Sequence, residues 1–373
     1  MKAKVLVCAV LAAMASSGLM ACEAPEVKTF EVVRDTAAVQ EETAPRDGEE
    51  EVLQAKTQAQ NKVKADRRIL QQVTEAVLEQ FEGRGEAVLM DARTGALLAQ
   101  VGGEEPHGVG STFKPISTLA ALASPELGLK PDAQMNCKGY TKFGGRHFHC
   151  WKRDGHGEVG LDDALAQSCN SVSFELASHA HYDDIVTFAR RFGLGEAPGP
   201  GLAPGGKLLS QKDIPKFVEG YKLLLSVGQH PFEQNLLQMA RAYGVLARGH
   251  LVQVHRPGDD WDKPTPVELD PEALAMVRKG LVDAVAGPKG TAHWAASKRV
   301  SVAGKTGTVW TGQNYRKPSA DNDQIYDDAW FAGYAPADEP EVVVVVRVKG
   351  GVSGGKTAAP VARELLEAWH EVR

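Results

Sequence analysis

The sequence predicts an α/β (α+β) fold in which a central antiparallel sheet is flanked by helices and joined to an all-helical subdomain. Two observations carry that expectation. Short apolar runs suited to strands lie far apart, Ala87 to Val101 near one end and Val342 to Val348 near the other, so one sheet must gather strands from both. Between them, Leu161 to Val285 shows apolar residues recurring mainly at helical spacing. With 373 residues and 43% hydrophobic content the chain can bury one large core or two smaller ones, and a net charge of −6 with pI near 6.0 gives no reason to expect a nucleic-acid partner.

Taken in order, Met1-Lys2-Ala3-Lys4 supplies a positive start, and Val5 to Met20 is apolar but broken by Ser16, Ser17 and Gly18, which reads as a signal peptide over residues 1–21. Its end, Leu19-Met20-Ala21-Cys22, resembles a bacterial lipobox, so Cys22 is the expected lipidated N-terminus and the expected location is the cell envelope, facing the periplasm and held to a membrane by lipid. A plain secreted protein is the alternative. Residues 22–55 are acidic, rich in Glu, Ala and Pro, and without an apolar period, as expected of a disordered tether; the remaining 56–373 form the expected domain. Leu70, Val73, Val77, Leu78 and Phe81 mark an amphipathic helix that ends at Gly83 and Gly85. Ala87 to Met90 and Ala96 to Val101 then form a hairpin turned by Asp91-Ala92-Arg93-Thr94-Gly95.

An Ala/Leu-rich helix, Ile116 to Ala123, follows the Gly-rich turn at Gly110. Asn136 to Gly157 is polar, basic and rich in histidine. His147, His149, Cys150 and His156, with Cys137 upstream, could be read as a metal cluster, but their spacing fits no standard zinc pattern, and an exported cysteine pair is more often a disulfide. The expectation is therefore no metal and no cofactor, a Cys137–Cys150 bridge, and Cys169 left unpaired. Helices are expected over Leu161 to Ala166, Ser171 to Ala180, Asp183 to Phe192, Leu223 to Arg248 and Pro271 to Val285. A strand from Val300 to Ala303 runs into Gly304-Lys305-Thr306-Gly307-Thr308. After a polar loop, Trp310 to Asp328, come strands Ala329 to Tyr334 and Val342 to Val348, and the closing helix Ala359 to Trp369.

The chemistry points to Ser111. Lys114 lies three residues on, hence on the same helical face, and a lysine becomes a general base when burial and the positive end of its helix lower its pKa. A four-residue S-x-x-K match is weak alone, since a helix start explains it. Ser168-Cys169-Asn170 and then Lys305-Thr306-Gly307-Thr308 follow in the order and rough spacing of penicillin-recognising serine enzymes. On this arrangement Ser111 attacks a carbonyl, Lys114 takes its proton, and Ser168 relays a proton to the leaving nitrogen. Asn170, Lys305, Thr306, Gly307 and Thr308 form the expected substrate-binding set, and the backbone N–H groups of Ser111 and Thr308 the expected oxyanion hole.

From about Lys56 to its end the chain resembles a penicillin-binding protein transpeptidase domain. Further matching stretches are Ala87 to Val101, Gly155-His156-Gly157, Arg191-Phe192-Gly193-Leu194-Gly195, Ser226-Val227-Gly228-Gln229 and Trp330-Phe331-Ala332-Gly333-Tyr334-Ala335-Pro336. The resemblance implies a β-lactamase/transpeptidase-like fold and a serine D,D-transpeptidase whose acyl-enzyme forms on the D-Ala-D-Ala end of peptidoglycan stem peptides, with β-lactam antibiotics as covalent ligands. Other members commonly carry a large domain ahead of this one, where here only the tether is expected, so a polymerase partner is left open. The alternatives are a D,D-carboxypeptidase, a serine β-lactamase of the lysine-based class, against which Asn170 argues, and a non-catalytic β-lactam-binding protein.

Overall fold

Val342 to Val348 is buried at every position, which a strand achieves only when both faces of its sheet are covered. The structure, a computed structural model, describes residues 66–125, 127–229, 231–309 and 327–373; the leader, the lipobox with Cys22, the tether and the loop over 310–326 lie outside these. The sheet contains β1 (Gly85–Asp91), β2 (Leu97–Val101), β3 (Ala303–Val309), β4 (Asp327–Ala335) and β5 (Val342–Gly351). All neighbours are antiparallel, in the order β3-β4-β5-β1-β2, so the valine strand is central and the two ends of the domain meet in one sheet.

Residues 66–79 form helix α1, whose Leu70, Val73, Val77 and Leu78 are buried as their spacing requires. Gln71 closes part of the β2 edge, since its Nε2 donates to Gln100 O and its Oε1 accepts from Gln100 N, both at 2.9 Å. The other helices are α2 (Lys114–Leu122), α3 (Leu161–Ala166), α4 (Asn170–Ser178), α5 (Tyr182–Arg190), α6 (Tyr221–Ser226), α7 (Leu236–Arg248), α8 (Pro271–Ala286) and α9 (Ala359–Val372). Helix α9 packs on one face of the sheet and α7 on the other. Leu236 to Ala247 of α7 are all buried, and the helix is stopped by its own sequence. Asn235 and Gln238 form a reciprocal capping box at its start, and Gly249 takes φ 73° at its end. Val88, Met90, Trp330, Tyr334, Val343 and Val345 meet Leu236, Met239 and Tyr243 of α7 in one core. Among the described residues no helix is long and apolar enough to cross a membrane.

Two expectations need correction. The helical region expected over Leu223 to Arg248 is two helices, α6 and α7, because Gly228 adopts φ 68° and Glu233–Gln234 pairs as a short strand with His107–Gly108. The helical subdomain also carries strands between α2 and α3: Gln134–Cys137 pairs with Gly157–Gly160, and Tyr140–Phe143 with Arg146–His149. At one end of the sheet Arg347 is buried between two carboxylates, its Nη2 2.6 Å from Asp328 Oδ2 and its Nη1 2.9 Å from Glu86 Oε2.

Candidate active site

Ser111 sits in a single 3₁₀ turn, Gly110–Phe113, that feeds directly into α2. The turn fits because Lys114 N–H closes back on Ser111 O, so the carbonyl that Pro115 cannot serve already has its donor. Its position is fixed by close backbone contacts. Gly110 has φ 56° and donates its N–H to Gly228 O at 2.9 Å, and a Cβ on Gly110 would lie 2.8 Å from Thr308 O. On Gly228 a Cβ would lie 2.1 Å from Gly110 O. The neighbours of Gly228 continue the brace: Ser226 O accepts from Ser117 Oγ at 2.7 Å, and Gln229 Nε2 donates to Thr308 O at 3.4 Å. Tyr243 OH of α7 donates to Thr112 O at 2.8 Å, which ties the turn to the core. Gly110, next to Ser111, thus packs against the Thr308 carbonyl.

Lys114 is fully buried, and its Nζ donates to Ser168 O at 2.7 Å, Asn170 Oδ1 at 2.6 Å and Ser168 Oγ at 3.3 Å. The first two of the expected motifs therefore meet at one nitrogen. Those contacts occupy the donors of the ammonium form, and none of them is Ser111 Oγ. Loss of one proton would give the amine a lone pair with which to accept the serine proton. Burial pulls Lys114 down from 10.5 to about 8, which places that loss near neutral pH. Ser168 has φ 55°, an uncommon conformation for a residue with a side chain, held where α3 ends and α4 begins.

Lys305 of β3 is also fully buried and donates to Thr306 O at 3.2 Å. Burial, and then the charge of Lys114, push it well below the usual lysine range. An incoming carboxylate would restore its charge, which fits the expected recognition role. The threonines are already engaged: Thr306 Oγ1 lies 2.9 Å from Thr291 Oγ1, and Thr308 Oγ1 accepts from Gly354 N at 3.4 Å. Gly307 leaves no room for a side chain, since a Cβ there would come 2.7 Å from Val109 O.

A second cluster adjoins the Ser168-to-Asn170 turn. Cys137, Cys150 and Cys169 are free, buried thiols in the structure, so the expected Cys137–Cys150 bridge is not formed and Cys169 is not apart from the other two. Their sulfurs and a ring nitrogen of His156 all lie within 4.8 Å of one another. His156 Nδ1 is 3.5 Å from Cys137 Sγ and 3.7 Å from Cys150 Sγ, while Cys150 Sγ is 4.0 Å from Cys169 Sγ and accepts from Asn170 N at 3.4 Å. The contacts with Cys169 and His156 lower Cys150 below the usual thiol range, and the Cys150 contact raises His156. Three soft sulfurs and one imidazole converging in a buried site are a donor set that fits a tetrahedral zinc ion. His147 and His149 take no part, since they stand outward on the Arg146–His149 strand. The spacing fits no standard zinc pattern because one donor, Cys169, lies inside the serine–asparagine motif.

Fold and motif order together are those of the penicillin-recognising proteins. The chain belongs to the family described as penicillin binding protein transpeptidase domain, which it matches over residues 85–367. It is 28% identical over 287 residues to "Peptidoglycan D,D-transpeptidase MrdA" of Acinetobacter baumannii, covering 70% of this chain and 42% of that protein. It is 29% identical over 290 residues to "Peptidoglycan D,D-transpeptidase PbpA" of Mycolicibacterium smegmatis, covering 71% and 55%. The chain thus spans about half or less of the length of these curated relatives. Among solved structures, Pseudomonas aeruginosa PBP2 in complex with WCK 5153 superposes with TM-score 0.68 at 26% identity, over 80% of this chain and 73% of that one. The transpeptidase domain of Burkholderia pseudomallei penicillin-binding protein 3 gives 0.67 at 26% identity, over 83% and 93%.

Proposed function

We propose that this protein is a peptidoglycan D,D-transpeptidase working through a Ser111 acyl-enzyme on D-Ala-D-Ala stem peptides, and that β-lactams acylate the same serine. The observation that carries this reading is the buried Lys114 Nζ bound by Ser168 and Asn170 one helical turn from Ser111. In the reaction, Ser111 Oγ attacks the carbonyl of the penultimate D-Ala and neutral Lys114 takes its proton. Ser168 Oγ, 3.3 Å from Lys114 Nζ, passes a proton to the leaving nitrogen, and free D-Ala departs. An acceptor amine then attacks the ester and reverses the proton path. Asn170 commits its Oδ1 to Lys114 and keeps Nδ2 to donate to a substrate amide. Lys305, with Thr306, Gly307 and Thr308, forms the wall that receives the terminal carboxylate. Muropeptide analysis after incubation with purified protein tests the acceptor: cross-linked dimers are expected, and tetrapeptides without cross-links would mean a carboxypeptidase.

Two further assignments belong to this reading. Cys137, Cys150, Cys169 and His156 hold a zinc ion that fixes the turn carrying Ser168 and Asn170 and takes no part in acyl transfer; their convergence within 4.8 Å supports this over the Cys137–Cys150 bridge. Cys22 carries the lipid that keeps the mature chain at a membrane of the cell envelope, supported by its lipobox. Membrane fractionation of a Cys22→Ser chain checks the second, since processed protein that still sediments with membranes would refute it.

A further inference from the structure

Trp151 is 57% exposed, yet its indole N–H is fully committed. It donates to Gln167 O and to Ser168 O, each at 3.1 Å. The second acceptor is the carbonyl that receives Lys114 Nζ at 2.7 Å, so one oxygen takes both the indole and the ammonium. The residue between these contacts, Ser168, has φ 55°, a conformation that persists only where its surroundings over-determine it. The adjoining residue contacts the same turn, with Cys150 Sγ accepting from Asn170 N at 3.4 Å. The indole is itself held edge-on against the His156 ring, 5.4 Å between centroids and 68° between planes.

The geometry points to Trp151 as a positioning residue for acyl transfer: its N–H holds the Ser168 carbonyl, and through it the site where Lys114 Nζ rests against Ser168 and Asn170. The inference rests on the reading that Ser111 is the acylated residue. Removing the N–H frees the left-handed turn to relax, and Lys114 then loses the aim of its strongest backbone contact while its fold and burial stay unchanged.

The test replaces Trp151 with 3-benzothienylalanine, which keeps the bicyclic shape and has sulfur in place of N–H, and separately with 5-fluorotryptophan, which keeps the donor. Acylation by a fluorescent penicillin is followed in the full chain over a range of concentrations, together with thermal melting. The limiting acylation rate is expected to fall about tenfold for benzothienylalanine, the size of one lost hydrogen bond, with half-saturating concentration unchanged and melting temperature lowered by no more than about 4 °C. The fluorotryptophan protein is expected to acylate as the parent does. A Trp151→Phe chain provides a second donor-free variant. Benzothienylalanine protein that acylates at the parent rate overturns the proposal, as does a loss confined to half-saturation, which would make the indole a ligand contact. A parent chain that takes no penicillin removes the acyl-enzyme reading and this inference together.

Discussion

On the proposed mechanism Lys114 loses a proton before it takes one from Ser111, and burial sets the pH at which that happens. Its pKa of about 8 lies below the 10.5 of a free lysine, so the competent amine becomes the major form on passing upward through pH 8. The acylation rate is therefore expected to rise with pH up to a plateau above 8; a midpoint near that of free lysine would show that Lys114 is not the base. Lys114→Ala should cost about a hundredfold or more, the usual size of general-base assistance. The pairing of Ser111 with Lys114 was legible in sequence because it is local. That Lys114 would bind Ser168 and Asn170, and that Trp151 would donate to the same carbonyl as Lys114, was not, because those contacts join residues far apart in the chain. In the sequence Cys169 stands out only for its place in a motif, although its thiol faces two other cysteines and a histidine.

At the scale of elements, the turn that carries Ser111 is only as well placed as the segment that braces it. Gly228 presses on the Gly110 carbonyl so closely that any Cβ must displace one backbone or the other. Gly228→Ala is expected to lower acylation at least tenfold in a protein that still folds, measured by penicillin labelling beside circular dichroism; unchanged labelling would show that the brace is dispensable. The sheet has its own requirement at Arg347, which lies between Asp328 and Glu86. Asp328→Ala leaves a buried guanidinium with one of two partners, and denaturant unfolding should report a loss of about 3 kcal/mol. A loss below about 0.5 kcal/mol, the range of ordinary surface changes, would contradict that. The long strands and helices were readable because each carries enough residues to show its period. Gln134 to Gly160 was not, since its strands are four residues each and alternate too briefly to separate from a polar loop. The break between α6 and α7 was hidden for a different reason: apolar residues continue on both sides of Gly228, which turns the chain without interrupting the composition.

For the whole molecule, the sheet brings Lys305 from one end of the domain to the turns that carry Ser111 and Ser168, and the cysteine–histidine cluster contacts the turn between α3 and α4 through Asn170 N–H on Cys150 Sγ. Protein purified without chelator is expected to contain about one equivalent of zinc, to lose it on Cys137→Ala, and to melt at lower temperature once stripped. A Cys137–Cys150 disulfide in the native, non-reduced protein would favour the bridge and refute the zinc site. The overall architecture was legible because strands at both ends of the chain demanded one shared sheet, whereas the depth at which Lys114 and Lys305 are buried depends on packing that no local pattern records. The central claim, that this arrangement makes Ser111 a nucleophile, is tested most directly by intact-mass and peptide-mapping measurements after exposure to a penicillin. The expected result is a single adduct on Ser111 that persists for minutes and is absent from a folded Ser111→Ala protein. Labelling at another residue that survives Ser111→Ala, or a folded parent chain that takes no β-lactam at any concentration, would contradict it.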